Sequence, residues 1–497
     1  MDTGVKDLNK IAEGGYSKVY EIKDSDKILK RLIKDVKQTG LGSLRELSIL
    51  KKVGDYPAIS GLHSVHFEIK SRRCLSPVNN RHLTDDTMHF VFDKADTSLR
   101  DYLYENRDKV EEEEYKRNVK RFMVQILLGL EHLHKMKIIH RDMKPENVLI
   151  YKEDEDYHAM VTDLGMAEPY CSCDNSNVDI FGSWYRPPEI CYGINKYDYA
   201  CDIWNTGLMF AEMVNGSNLL EDVDDDDDSH IMTQYLQRLP PLENEKNECR
   251  KLADMGTKVL TLRNKDKKRH KDMASFLNTS DSYLINLISK MLRYDPSKRI
   301  SVTAALEHPY FKEYDEFIKT YRQCALRRKR TYEIVNCFER RQAFKLINEV
   351  LEKRKYIKWF TYRILFQAAS IFDRAISHKM KTVKANAIES DERGKIWTLK
   401  ETQLYFYFCL YIAYKYFFID GGAITLKNFI EPLSDFKIRE KEIDLFLKFE
   451  KDFLVSQDYD IYFNTLFEKT VNKGQQVEEK EVTSLVKKYY ELQDGPI

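Results

Sequence analysis

The sequence predicts two architectures in one chain. A two-lobed α+β fold occupies residues 8–311, with a small strand-rich lobe (8–94) before a larger helical lobe (95–311), and an all-α domain follows over 336–470. Three observations carry this. Residues 8–34 read as strand, glycine turn and strand, with Val19 and Tyr20 opening the second strand and Ile28-Leu29 leading to Lys30 in a third. Helical periodicity then takes over, first in Leu41 to Val53 and later in the long pattern from Tyr115 to Lys135. After about residue 330, helix-length apolar patterns repeat with almost no glycine before Gly421-Gly422, as in Phe344-Leu346-Ile347-Val350-Leu351, Ile364-Leu365-Ala368-Ile371-Phe372 and Leu404 to Phe418.

The remaining segments fit around this frame. Residues 71–87, with Pro77, Asn79 and Asn80, read as an inserted loop, and Val148-Leu149-Ile150 and Met160-Val161 as short strands. Residues 312–335 read as a charged linker and 471–497 as a terminal helix or tail. The 497 residues suffice for two or three domains, and 42% hydrophobic content provides each with a core.

Composition excludes several classes of function. Lys+Arg and Asp+Glu are both 80, so no global field draws the chain to nucleic acid or an anionic membrane, and neither is expected as a partner. Among nine cysteines the only close pair, Cys171 and Cys173, lacks a second pair or histidine cluster, which reads as reduced thiols in an intracellular protein. The start, Met1-Asp2-Thr3-Gly4, shows no secretory pattern, and Leu404 to Ile419, interrupted by Lys415, is too short to span a bilayer. The acidic run Asp224 to Asp228 reads as solvated loop rather than calcium site. Lys265, Lys267, Lys268, Arg269 and Lys271 read as solvated surface or as a docking patch for an acidic partner. Arg327-Arg328-Lys329-Arg330 reads as nuclear address or solvated linker, leaving cytoplasm and nucleus both open.

The chemistry lies in His140-Arg141-Asp142-Met143-Lys144-Pro145-Glu146-Asn147 and, beyond it, Asp163-Leu164-Gly165. Phosphoryl transfer needs nucleotide phosphates held in line with an acceptor and their charge neutralised by metal and lysine. In this pattern Asp142 accepts the acceptor's proton, Lys144 contacts the moving phosphate, and Asn147 and Asp163 bind Mg2+ with ATP. Lys30 holds the α- and β-phosphates, and Glu46 orients Lys30 through an ion pair.

These motifs resemble the eukaryotic protein kinase family across residues 8–311, which implies the bilobal protein kinase fold, with ATP and Mg2+ as cofactors and proteins as substrates. Lys144, two residues after the base, is the Ser/Thr-type arrangement. Ala12, Gly14 and Ser17 stand at the three glycine positions of the phosphate loop, so the resemblance assigns ATP contacts to Ala12, Glu13, Gly14, Gly15, Tyr16, Ser17 and Val19. Phe90-Val91-Phe92-Asp93-Lys94-Ala95 looks like an adenine hinge, with Asp93 and Ala95 as nucleotide contacts.

Within the family the sequence resembles cyclin-dependent kinases, through Leu44-Arg45-Glu46-Leu47-Ser48-Ile49-Leu50 and Trp184-Tyr185-Arg186-Pro187-Pro188-Glu189. Asp202 and Arg299 match internal supports of the large lobe. Asn177 stands where those kinases carry an activating phosphothreonine. Of the three phosphate-clasping arginines, Arg45 and Arg141 remain and Glu168 replaces the third, so a carboxylate takes over the phosphate's role. Gly182 replaces a threonine that steadies the catalytic Asp and Lys. Tyr16 matches an inhibitory tyrosine, with an unmodified loop-tip aromatic as the alternative.

Leu410-Tyr411-Ile412-Ala413-Tyr414-Lys415-Tyr416, Ile424-Thr425-Leu426-Lys427-Asn428-Phe429-Ile430 and Phe449-Glu450-Lys451-Asp452-Phe453-Leu454 resemble consecutive helices of a cyclin box. That resemblance makes Lys415 and Glu450 contacts to the kinase regulatory helix, Asp373-Arg374 the end of a box helix, and Arg341 a partner of Asp373. Such a fusion suggests a large DNA virus as source. The expectation is a monomeric Ser/Thr kinase activated by an intramolecular kinase–cyclin contact. The competing reading is a pseudokinase scaffold that recruits a partner, which Ala12, Ser17 and Gly182 favour.

Overall fold

A computed structural model describes residues 8–13, 17–32, 41–68, 87–106, 110–153, 156–170, 185–194, 197–216, 227–261, 270–324, 346, 350, 362–385, 398–417, 426–434, 436–439, 441–446 and 448–449. Its contacts group into two compact units. Met1–Lys52, His63–Val91 and Arg328–Ile497 form one, and Val53–Leu62 with Phe92–Arg327 form the other.

The first unit opens with the strands β1 (Leu8–Glu13), β2 (Ser17–Ile22) and β3 (Lys27–Leu32). Together with β4 (Leu62–Glu68) and β5 (Thr87–Asp93), which run into the second unit, they make one sheet of order β1-β2-β3-β5-β4. Antiparallel register puts Ala12 opposite Val19 and Val19 opposite Lys30. Helix α1 (Leu41–Val53) has six consecutive buried residues, Arg45 to Leu50. Burial around a full turn means that α1 is enclosed on more than one face.

The C-terminal part of this unit is helical in its described residues. Helices α12 (Tyr362–Ala385) and α13 (Leu399–Phe417) pack against each other, and α14 (Leu426–Ile430) packs against α13. Between α1 and α12 in chain order, helices α2 to α11 belong to the second unit. Nine consecutive residues of α13, Phe406 to Tyr414, are buried, so this stretch of the helix is apolar all round and encircled by its neighbours. Aromatic rings make much of that packing: Phe372 meets Phe406 at 5.6 Å, Phe408 meets Phe446 at 5.1 Å, and Tyr411 and Tyr414 each lie 5.0 Å from Phe429. Thr398 and Glu401 cap α13 reciprocally, each side chain accepting the other's backbone N–H.

The second unit is built on two long helices, α3 (Glu112–Lys135) and α5 (Ala200–Asn215). The α3 helix starts three residues before the sequence pattern indicates, because Glu112, Glu113 and Glu114 suit the positive end of the helix dipole. At Gly129 a Cβ would stand 2.7 Å from the Ala58 carbonyl oxygen, so only glycine lets α3 lie against the 53–62 segment. Around these helices stand α2 (Leu99–Asn106), α4 (Pro188–Cys191), α6 (Asp228–Arg238), α7 (Glu245–Met255), α8 (Met273–Leu277), α9 (Ser282–Met291), α10 (Val302–Leu306) and α11 (Asp315–Cys324). The short strands are β6 (Thr97–Ser98), β7 (Ile138–Ile139), β8 (Val148–Glu153), β9 (Asp156–Val161) and β10 (Glu168–Pro169). Asp272, Asp281 and Ser301 cap the helices that follow them.

The stretch read as a charged linker begins as α11, an amphipathic helix with Ile318 buried. Its apolar residues are few and interleaved with charge, so composition masked the pattern. Among the described residues no helix is long and apolar enough to cross a membrane. Gly14, Gly15, Tyr16, Cys171, Cys173, Asn177, Gly182, Arg341, Glu450, the basic clusters at 265–269 and 327–330 and the tail at 471–497 lie outside the described residues.

Candidate active site

In the second unit the 140–147 loop leaves β7 and is fixed by Asp202 of α5. Its carboxylate accepts the backbone N–H of His140 (2.9 Å) and Arg141 (2.8 Å), and faces His134 Nε2 at 2.8 Å. Burial opposes the charge on Asp202, but the bonds from His134 and the loop backbone hold its pKa below the ordinary carboxylate value. Arg141 occupies the left-handed region at φ 68°, a conformation disfavoured for a side-chain-bearing residue and sustained here by those bonds.

Asp142 is gripped by its neighbours. Its Oδ2 accepts bonds from Lys144 Nζ (2.8 Å) and Asn147 Nδ2 (2.8 Å), while Asn147 Nδ2 also donates to the Asp142 carbonyl oxygen (2.8 Å). Burial raises the Asp142 pKa, and the Lys144 charge pulls the other way. For Lys144 burial disfavours the ammonium, yet the Asp142 charge and hydrogen bond prevail and its pKa is raised. His140 Nδ1 accepts the Asp142 N–H (3.3 Å), which makes Nε2 the protonated nitrogen that donates to the Thr162 carbonyl oxygen (2.9 Å).

The antiparallel pair β8–β9 sets Val148 opposite Val161, and Thr162 N–H donates to the Asn147 carbonyl oxygen at 2.9 Å. Asn147, just before β8, and Asp163, just after β9, therefore emerge from adjacent strand ends. Asp163 is left-handed at φ 57°, with Oδ1 accepting the Gly165 N–H at 3.2 Å. With both Nδ2 hydrogens of Asn147 engaged by Asp142, its amide oxygen is the atom left for a cation. Among the described residues there is no cluster of three or more His, Cys, Asp or Glu that could hold a metal. An amide oxygen with one carboxylate nonetheless fits a small hard cation that takes its other ligands from phosphate and water.

Arg141 reaches away from Asp142. Its Nη1 donates to Glu168 Oε2 (2.6 Å) and Tyr197 Oη (3.0 Å), and its Nε to the Met166 carbonyl oxygen (2.6 Å). Arg141 and Glu168 are 1% and 3% exposed, so this is a fully buried ion pair. Tyr197 and His134 belong to this polar frame and were not singled out in the sequence, where a lone Tyr or His carries no spacing that marks it. Arg299 forks onto Glu189 at 2.7 and 2.6 Å and lies over Trp204.

In the first unit Lys30 Nζ meets Glu46 Oε1 at 2.6 Å, joining β3 to α1 with both side chains nearly buried. Val19, on β2, stands opposite Lys30. Ala12 and Glu13 lie exposed at the end of β1, and Ser17 opens β2. Glu13 is paired with Lys10 and Lys18, each at 2.8 Å, and these bonds bring its pKa down to about 2. Arg45 is buried on α1 beside Glu46. In the second unit Asp93, at the end of β5, is exposed, its carbonyl oxygen accepting a hydrogen bond from Tyr151 Oη at 3.4 Å, and Ala95 follows two residues on. In the helical part Lys415 lies within α13.

The chain belongs to the protein kinase domain family, whose model matches residues 5–311, more than half of its length. It is therefore a protein kinase by family, a class that uses ATP and a divalent metal ion to modify proteins.

Proposed function

We propose that the chain is a serine/threonine kinase held in its active arrangement by its own cyclin-like helical half. The observation that carries this is the buried Lys30–Glu46 pair at 2.6 Å, since this pair must be made before lysine can hold the nucleotide phosphates. Asp142 acts as the base: the two hydrogen bonds on its Oδ2 fix the carboxylate, and its other oxygen takes the acceptor hydroxyl's proton. Lys144, already within 2.8 Å of Asp142, moves its charge to the transferring phosphoryl group and marks the acceptor as Ser or Thr. Asn147 and Asp163 would hold Mg2+, which when bound neutralises phosphate charge. Glu168 supplies the anion that Arg141 would otherwise take from a phosphothreonine.

Three features support the cyclin-like reading. The helical part shares a compact unit with the sheet and α1, α1 is enclosed around a full turn, and α13 is an encircled core helix carrying Lys415. In this reading Lys415 and Glu450 fix α1, and α1 carries Glu46.

The test offers Ser, Thr and Tyr peptides to the purified chain with ATP and magnesium. Phosphate should pass to Ser and Thr and not to Tyr, and Asp163→Asn should lose both turnover and magnesium-dependent nucleotide binding. Transfer that survives Asp163→Asn would remove this residue from the site. No transfer by the native chain would leave a partner-recruiting scaffold.

A further inference from the structure

The family match ends at residue 311, yet the next helix folds back onto the catalytic lobe. From α11, Arg322 donates to both oxygens of Glu131 (2.9 and 2.7 Å), a carboxylate only 2% exposed that also receives Thr303 Oγ1 (3.0 Å) and Lys135 Nζ (2.9 Å). One position earlier, Tyr321 meets Tyr56 edge to face, with centroids 6.4 Å apart and planes at 89°. Tyr56 in turn stacks on His132, at 4.0 Å and 4°. His132 Nε2 stands 3.1 Å from the carbonyl oxygen of Val53, the last residue of α1.

This chain of contacts has a chemical end point. A helix C-terminus leaves carbonyl groups without intrahelical partners, and a buried imidazole donating to one of them fixes that end of the helix. Burial lowers the His132 pKa, which favours the neutral ring, and its Nε2–H is then the donor. Glu46 lies seven residues back from Val53, about two turns along the same helix and on nearly the same face. Whatever fixes the last turn of α1 also restricts where Glu46 can stand.

We infer that α11 is a brace for α1, with Tyr321, Tyr56 and His132 as positioning residues for Glu46, and that the working kinase unit extends through Cys324. The aromatic steps set the expected size. An edge-to-face pair contributes about 0.5–1.5 kcal/mol beyond burial, so losing the Tyr321 ring raises local opening by up to about tenfold. The inference rests on the proposed phosphoryl transfer only for its rate readout.

The experiment compares Tyr321→Ala and Tyr321→Phe in the full chain, by hydrogen exchange over residues 47–60 and by kinase rate. Tyr321→Ala should speed exchange there by about five- to tenfold and lower kcat severalfold, with little change in the KM for peptide. Tyr321→Phe keeps the ring and should keep both. Unchanged exchange in Tyr321→Ala overturns the brace, and so does faster exchange with an unchanged kcat. A native chain without transfer would sink the proposed function, while the exchange comparison would still decide whether α11 holds the end of α1.

Discussion

The 140–147 loop and the C-terminal helices are held by different forces. Asp142, Arg141 and Asn147 of the loop, and Asp202 of α5 behind it, each have specified polar partners at hydrogen-bond distance, whereas α12, α13 and α14 pack through buried rings, with Tyr407 Oη donating to the Leu433 carbonyl oxygen. The difference teaches what each region tolerates. A polar network fails when one partner is removed, because the other is left buried and unsatisfied. Aromatic packing accepts many substitutions of similar volume, so its sequence is loosely constrained.

The largest effect should come from the loop. Asp142→Ala removes the proposed base and should cut phosphoryl transfer by about 10²–10⁴-fold, the usual contribution of a positioned base, with nucleotide affinity changed much less. An equal loss of ATP affinity would break the assignment, because the phosphates and metal are assigned to Lys30, Asn147 and Asp163.

Next comes the buried pair behind the loop. Glu168→Ala leaves the Arg141 guanidinium buried without its anion and should destabilise the chain by about 3 kcal/mol, with activity falling too. Phosphatase treatment of the native chain should leave the rate nearly unchanged. A rate abolished by phosphatase would show that a phosphate, and not Glu168, orders this segment.

A smaller effect is expected where α11 meets α3. Arg322→Ala removes two charge-assisted bonds from Glu131 while Lys135 remains, a loss of about 1–3 kcal/mol at neutral pH. The sign with pH follows from Glu131. Burial alone would raise its pKa, but Arg322 and Lys135 outweigh burial and lower it below the ordinary 4.5, so its stabilisation is present above that value and lost as pH falls through the folded-state value. The melting difference between native and Arg322→Ala chains should be largest near neutrality and shrink as the pH drops below about 4.5. A constant difference across that range would show that Arg322 acts through packing alone.

The same contrast decides how much could be read beforehand. Asp142, Lys144, Asn147, Asp163 and the Lys30–Glu46 pair were legible because phosphoryl transfer demands those residue types at fixed spacing. Glu168 was legible as a carboxylate in an arginine position, and the structure adds the distance to Arg141. Tyr197, His134 and the Tyr321–Tyr56–His132 stack were not, since their partners lie between 56 and 265 positions away in sequence and no local pattern joins them. The α11 helix was hidden by its charge. The helices of the C-terminal half were legible from periodicity, whereas the Thr398–Glu401 capping box that starts α13 passed unnoticed although its spacing is visible in the sequence.

The most direct test of self-activation uses the full-length chain with Lys415→Ala and Glu450→Ala together, two exchanges in the helical half that leave the catalytic residues untouched. Transfer to a Ser/Thr peptide should fall at least tenfold while the melting temperature stays within a few degrees of the native value, because only the orientation of Glu46 is released. Native-level transfer by that double variant would contradict the account and reduce the helical half to a recruitment module.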